Sequence, residues 1–129
     1  MAKKILLVDD DVDFVEVNKE ALEERGYQVV TAYNGEEALK KAVEESPDLV
    51  ILDVIMSTPT EGIHVSHKLR EHEETKNIPI IMLTAMRKRM DIKYNIEPEE
   101  EYLPVTEFVE KPIAPNKLVE KVERILERK

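Results

Sequence analysis

Unbroken aliphatic runs restrict the fold of this chain more than any other feature. Ile5-Leu6-Leu7-Val8, Leu49-Val50-Ile51-Leu52 and Ile80-Ile81-Met82-Leu83 carry no polar residue at alternate positions. A strand with one wet face alternates apolar and polar residues, so an uninterrupted run implies a strand covered on both faces, as in a parallel sheet. Longer segments with helical spacing separate the runs. Phe14, Val17, Ala21 and Leu22 recur at three- and four-residue steps and stop at Gly26. Gln28 to Ala32 is short and β-branched, and the Asn34-Gly35 turn leads into a helix carrying Ala38, Leu39, Ala42 and Val43 before Ser46-Pro47. The run at Leu49 to Leu52 is the most apolar and is expected to be the central strand. Beyond Gly62, Ile63, Ser66, Leu69 and Arg70 mark a weaker helix, followed by the polar stretch Glu73 to Asn77. Arg87 to Pro104 is the least regular segment and reads as a short helix and an exposed loop. Val105 to Val109 is expected to be a fifth strand, and Leu118, Val119, Val122, Ile125 and Leu126 mark a closing amphipathic helix.

This alternation predicts an α/β fold, a five-stranded parallel sheet with right-handed crossovers and helices on both faces. At 129 residues the chain is expected to form one domain spanning 1–129, with no output domain. In such sheets ligands gather beyond the C-terminal ends of the strands. Asp9, Asp53, Thr84 and Lys111 stand at or just past four of those ends.

Composition narrows the chemistry. With 28 Asp and Glu against 19 Lys and Arg the net charge is −9, which disfavours direct nucleic-acid binding. The absence of Cys excludes disulfides, thiolate metal sites and cysteine nucleophiles. The first apolar run is too short for a signal peptide or membrane span, so a soluble cytoplasmic protein is expected. Asp9, Asp10 and Asp53 would crowd three carboxylates together, each close pair repelling by roughly 4 kcal/mol at an effective dielectric of 20. A cation should offset that repulsion. An all-oxygen donor set suits Mg²⁺ better than Zn²⁺. Lys111 adds a fixed positive charge and Thr84 a hydroxyl, a combination suited to holding the oxygens of a transferring phosphoryl group, with one carboxylate as the nucleophile.

Four signals, Val8-Asp9-Asp10, Leu52-Asp53, Leu83-Thr84-Ala85 and Glu110-Lys111-Pro112, follow the first, third, fourth and fifth strands in that order. In them the chain resembles a response-regulator receiver domain of two-component signalling, along nearly its whole length. The resemblance implies a CheY-like, flavodoxin-like three-layer fold with strand order 2-1-3-4-5. It makes Asp53 the phosphoacceptor, charged from a phosphohistidine on a sensor histidine kinase or phosphotransfer protein. Asp10, Asp53 and the backbone carbonyl of Ile55 would ligate Mg²⁺, with Asp9 acting mainly through water. Thr84 and Lys111 would bind phosphate oxygens. Phe108, three residues before Lys111, would be the aromatic that turns inward on activation. Ala85 would leave room for phosphate, and the Lys111-Pro112 bond would be cis. The implied protein is a stand-alone regulator, monomeric or weakly dimeric, that alters contacts with a downstream protein and turns over no external substrate.

The loop after the acceptor departs from the family pattern. Met56 is followed by Ser57-Thr58, Pro59 is displaced and Gly62 comes late, while the segment between Thr84 and Lys111 is several residues longer than usual. This altered path bears on how Ile55 presents its carbonyl and on how quickly water reaches an acyl phosphate. It motivates an alternative, a phosphorylation-independent pseudo-receiver acting as a binding module. An aspartyl phosphohydrolase is disfavoured because Ile55 stands where a second aspartate would be needed. His64, His67 and His72 are read as surface residues, Met86, Met90 and Tyr94 as a packing stripe, and Glu99-Glu100-Glu101 as a solvated loop.

Overall fold

The structure is a computed structural model that describes residues 2–53, 61–84 and 106–127. In chain order these form β1 (Lys4–Val8), α1 (Val12–Glu24), β2 (Gln28–Ala32), α2 (Gly35–Glu45), β3 (Leu49–Asp53), α3 (Glu61–Glu71), β4 (Ile80–Thr84), β5 (Glu107–Glu110) and α4 (Pro115–Leu126). Every strand pairing is parallel, in the order β2-β1-β3-β4-β5, with β3 in the centre as its apolar run implies.

The unbroken runs make physical sense once the two faces are separated, because a strand's side chains alternate in direction. Ile5, Leu7, Leu49, Ile51, Ile81 and Leu83 join a core beneath α1 and α4, with Val15, Leu22, Leu118 and Val122. Leu6, Val8, Val50, Leu52, Ile80 and Met82 join a second core beneath α2 and α3, with Ala38, Ala42, Val65 and Leu69. One sheet therefore builds two cores from adjacent residues.

Local signals set the helix ends. Asp11 caps α1 by accepting from the Phe14 N–H at 3.2 Å, and Gly26, with φ of +96°, follows its last turn in a conformation that side chains resist. Asn34-Gly35 is a cap rather than a turn: Gly35 is the first residue of α2 and the Asn34 side chain accepts from the Glu37 N–H at 2.9 Å. α2 ends at Ser46, which holds a left-handed conformation at φ 48° and ψ 58°. The third helix begins at Glu61, before Gly62, and its inward positions are Gly62, Val65, Ser66 and Leu69, while Arg70 is half-buried.

The fifth strand is Glu107–Glu110, shifted toward the C-terminus from the Val105 to Val109 segment expected to form it. Thr106 explains the shift: its Oγ1 accepts from the Ile80 N–H at 3.0 Å while its own N–H donates to the Ile80 carbonyl at 2.8 Å. The ladder then runs from Glu107. The short helix and loop expected within Arg87 to Pro104, with Val105, Ala85, the Met86, Met90 and Tyr94 stripe and Glu99 to Glu101, lie outside the described residues. Among the described residues no helix is long and apolar enough to cross a membrane.

Candidate functional site

Strand register brings the acidic residues together. Val8 pairs with Leu52, so Asp9 and Asp53, each next in sequence, stand side by side at the C-terminal edge of the two innermost strands. Asp53 follows Leu52 of the second core, so the strand's period of two turns it toward the α1 and α4 side. β5 extends the same edge, with Thr84 at the end of β4 opposite Glu110 and Lys111 one residue further. The Lys111-Pro112 peptide bond is cis, as the resemblance implied.

Asp9 and Asp53 are buried although both are charged residues, and Asp10 is exposed. One oxygen from each of Asp9, Asp10 and Asp53 lies within 4.8 Å of the others. Lys111 Nζ donates to Asp9 Oδ2 at 3.0 Å and stands 3.8 Å from Asp53 Oδ2. The other Asp9 oxygen accepts from the Asp11 N–H at 3.0 Å, which folds the acidic triplet back on itself. The ammonium group also lies over the Phe14 ring, 4.4 Å from its centroid.

Among the described residues one ammonium faces three carboxylates, an excess of negative charge. Partial desolvation and then the Asp9 charge raise the Asp10 carboxyl above its ordinary value, outweighing the opposing pull of Lys111. The donor set fits a hard divalent cation. Ligands on opposite sides of a Mg²⁺ ion are about 4.2 Å apart, which the 4.8 Å limit of this cluster accommodates with little movement. Its donors are all oxygens, with neither His nor Cys in the group, so the site does not suit Zn²⁺.

The residues expected to form a site thus fall into three groups. Asp9, Asp10, Asp53 and Lys111 are brought together. Thr84 is placed by its backbone at the same sheet edge, and Ile55 lies outside the described residues. Phe108, paired with Met82, is half-buried against the second core. His64, His67 and His72 are exposed, as expected. In the sequence Phe14 reads only as a helix-core position, and its contact with Lys111 is not foreseeable from it, because an aromatic on the first turn after an acidic triplet is a weak signal on its own.

Residues 5–123 match the family described as the response regulator receiver domain. Over 128 residues the chain is 41% identical to the alkaline phosphatase synthesis transcriptional regulatory protein PhoP of Bacillus subtilis (strain 168), which covers 99% of this chain and 50% of that protein. It is 34% identical over 128 residues to the phosphate regulon transcriptional regulatory protein PhoB of Pseudomonas aeruginosa, covering 99% and 53% respectively. The chain spans about half the length of the curated relatives it matches. Among solved structures, the chemotaxis response regulator CheY4 of Vibrio cholerae superposes with a TM-score of 0.82 at 31% identity, covering 97% of this chain and 99% of that one. A CheY-like receiver domain protein of Methanospirillum hungatei JF-1 gives 0.79 at 25% identity, covering 98% and 95%.

Proposed function

The chain belongs to the response regulator receiver domain family, and from that membership we propose that it is a phosphorylatable switch whose acceptor is Asp53. The observation that carries this reading is the convergence of Asp9, Asp10 and Asp53 on one sheet edge with the Lys111 ammonium beside them. A carboxylate oxygen of Asp53 attacks the phosphorus of a phosphohistidine on a sensor kinase or phosphotransfer protein. The new P–O bond forms as the N–P bond breaks, and the departing imidazole takes up a proton. Phosphoryl transfer asks a protein mainly for positioning and charge stabilisation. Asp53 is only 6% exposed, which limits the directions from which a donor can approach. Lys111, already within reach of Asp53, supplies positive charge to the incoming phosphoryl oxygens. Thr84 supplies a hydroxyl to the same oxygens and couples occupancy of the site to the sheet edge.

Asp9, Asp10 and Asp53, with the Ile55 carbonyl, would hold Mg²⁺. When bound, Mg²⁺ offsets the repulsion among the carboxylates and neutralises charge on the phosphoryl oxygens. The phosphorylated form changes its contacts with a downstream protein, with Phe108 as the aromatic that moves, and the chain turns over no external substrate. This reading assigns the protein to the cytoplasm. The test is incubation with acetyl phosphate and Mg²⁺. One acid-stable, base-labile phosphoryl group is expected, and its absence from Asp53→Asn assigns the acceptor. The same adduct on Asp53→Asn would reject that assignment, and no adduct on the unmodified protein would favour a phosphorylation-independent binding module.

A further inference from the structure

A closed circuit of contacts surrounds the lysine of the site. Asp9 Oδ1 accepts from the Asp11 N–H at 3.0 Å, and Asp11 Oδ1 accepts from the Phe14 N–H at 3.2 Å. The Phe14 ring lies 4.4 Å from Lys111 Nζ, and Lys111 Nζ returns to Asp9 Oδ2 at 3.0 Å. Phe14 is the one aromatic in this circuit, and it is well anchored. Its N–H is held by the helix cap, its carbonyl accepts from Asn18 Nδ2 at 2.8 Å, and its side chain packs against the core beneath α1 and α4.

Lys111 needs such a wall. A lysine stem is flexible and its ammonium is strongly hydrated, while the two carboxylates it faces are 3.0 and 3.8 Å away. Nothing in that pair of distances stops the ammonium from settling on Asp9 alone or swinging out toward water. An aromatic face attracts a cation through its quadrupole and excludes water from that flank. We propose that Phe14 is a positioning residue for Lys111, its ring face holding the ammonium where it meets both Asp9 and Asp53. Phe14 has no side-chain donor or metal ligand of its own and acts through the lysine. Its consequence for phosphorylation rests on the function proposed above.

Three forms of the full chain test it: the unmodified protein, Phe14→Met, which keeps an unbranched apolar side chain without a ring, and Phe14→Tyr, which keeps the ring. Nuclear magnetic resonance of the Lys111 side chain, recorded without metal, reads the contact directly. In the unmodified protein and in Phe14→Tyr, the Cε protons should be shifted upfield by the ring and restricted in motion. In Phe14→Met the shift should vanish and the side chain should average over rotamers. Phosphorylation by acetyl phosphate at saturating Mg²⁺ should then show a maximal rate about three- to tenfold lower in Phe14→Met, the scale of a partly desolvated cation–π contact. The concentration of acetyl phosphate giving half-maximal rate should be unchanged, and Phe14→Tyr should retain the full rate. A Lys111 side chain as restricted in Phe14→Met as in the unmodified protein overturns the proposal, as does an unaltered maximal rate. If the unmodified protein accepts no phosphoryl group, the functional reading fails, and the resonance measurement still decides the role of Phe14. Should Phe14→Met not fold, Phe14→Leu serves for the same two measurements.

Discussion

Lys111 is bound more closely to Asp9 than to Asp53, at 3.0 Å against 3.8 Å, although Asp53 is the residue on which the chemistry is proposed to occur. Asp9 is fully buried, so its carboxylate depends on that ammonium and on the Asp11 N–H for compensation. The structure therefore joins stability and function in one cation. Removing one member of a buried ion pair leaves the other uncompensated, typically at a cost of 3–5 kcal/mol. Lys111→Met should lower the unfolding free energy by about 3 kcal/mol at neutral pH in the absence of metal, measured by urea denaturation. Adding Asp9→Asn should restore most of that loss, because the stranded charge is then gone. Equal losses in the single and double variants would show that Asp9 carries no stranded-charge penalty once Lys111 is gone.

Asp10 has the opposite sign. Its carboxyl is raised above the ordinary value of 3.8 by desolvation and by Asp9, so the folded state holds this proton more tightly than the unfolded chain. That stabilising contribution is fully present below the ordinary value and is lost as pH rises through the higher folded value. At neutral pH the ionised Asp10 is therefore a burden on the metal-free protein. Asp10→Asn should raise the thermal midpoint at pH 7 without metal, and the gain should shrink toward pH 3. The variant should also lose most of the stabilisation that millimolar Mg²⁺ gives the unmodified protein through preferential binding to the folded state. A midpoint that does not respond to Mg²⁺ in either protein would remove the case for the metal site.

Much of this architecture is legible in the sequence because double-sided burial leaves an unmistakable trace. The runs at Ile5, Leu49 and Ile80 contribute to both cores, so no polar residue interrupts them. The edge strand β5 is harder to place. Glu107 and Glu110 belong to it, and Glu107 pairs with Lys121 at 2.7 Å, so no unbroken apolar run marks its ends. Edge strands tolerate and even favour such charges because one side of their ladder is unpaired. The acidic cluster could be anticipated because Asp9 and Asp53 directly follow apolar runs and Asp10 adjoins Asp9. The contact between Phe14 and Lys111 could not, since it joins the first turn of α1 to the residue that follows β5, far apart in sequence.

Ser46 is a site where stability can be gained without touching function. It closes α2 in the left-handed region at φ 48°, donating its N–H to the Ala42 carbonyl at 3.2 Å. A residue with a Cβ pays about 1–2 kcal/mol for that conformation, whereas glycine pays instead through the greater freedom of its unfolded chain, about 0.4–1 kcal/mol. Ser46→Gly should therefore add about 0.5–1 kcal/mol, seen as a higher urea midpoint with unchanged slope. Phosphorylation by acetyl phosphate should proceed at the unaltered rate.

Arg70 secures the approach to β4. It is half-buried, and desolvation lowers its pKa from the ordinary arginine value, yet the guanidinium remains charged at any physiological pH. Its Nη1 donates to the Ile78 carbonyl at 2.7 Å and to the Lys76 carbonyl at 3.1 Å, closing the turn between α3 and β4. Thr75, fully buried in the same turn, donates its hydroxyl to the Leu69 carbonyl at 2.5 Å and so ties the turn to the helix end. Arg70→Ala would strip the guanidinium from these carbonyls and from that of Thr75, 3.5 Å from Nη1, and lost hydrogen bonds from a charged donor cost about 1.5–3 kcal/mol. Partial exposure of the side chain lets water replace some of that, so a loss of about 1–2 kcal/mol is expected. Arg70→Lys should recover only part of it, because a single ammonium cannot reproduce the planar fork of donors. Hydrogen exchange locates the effect: amides of the turn from Thr75 to Ile78 should open faster in Arg70→Ala, while those of β1 and β3 should follow the global change alone. Uniform acceleration across the sheet would show that Arg70 acts on the whole fold instead of clamping this turn.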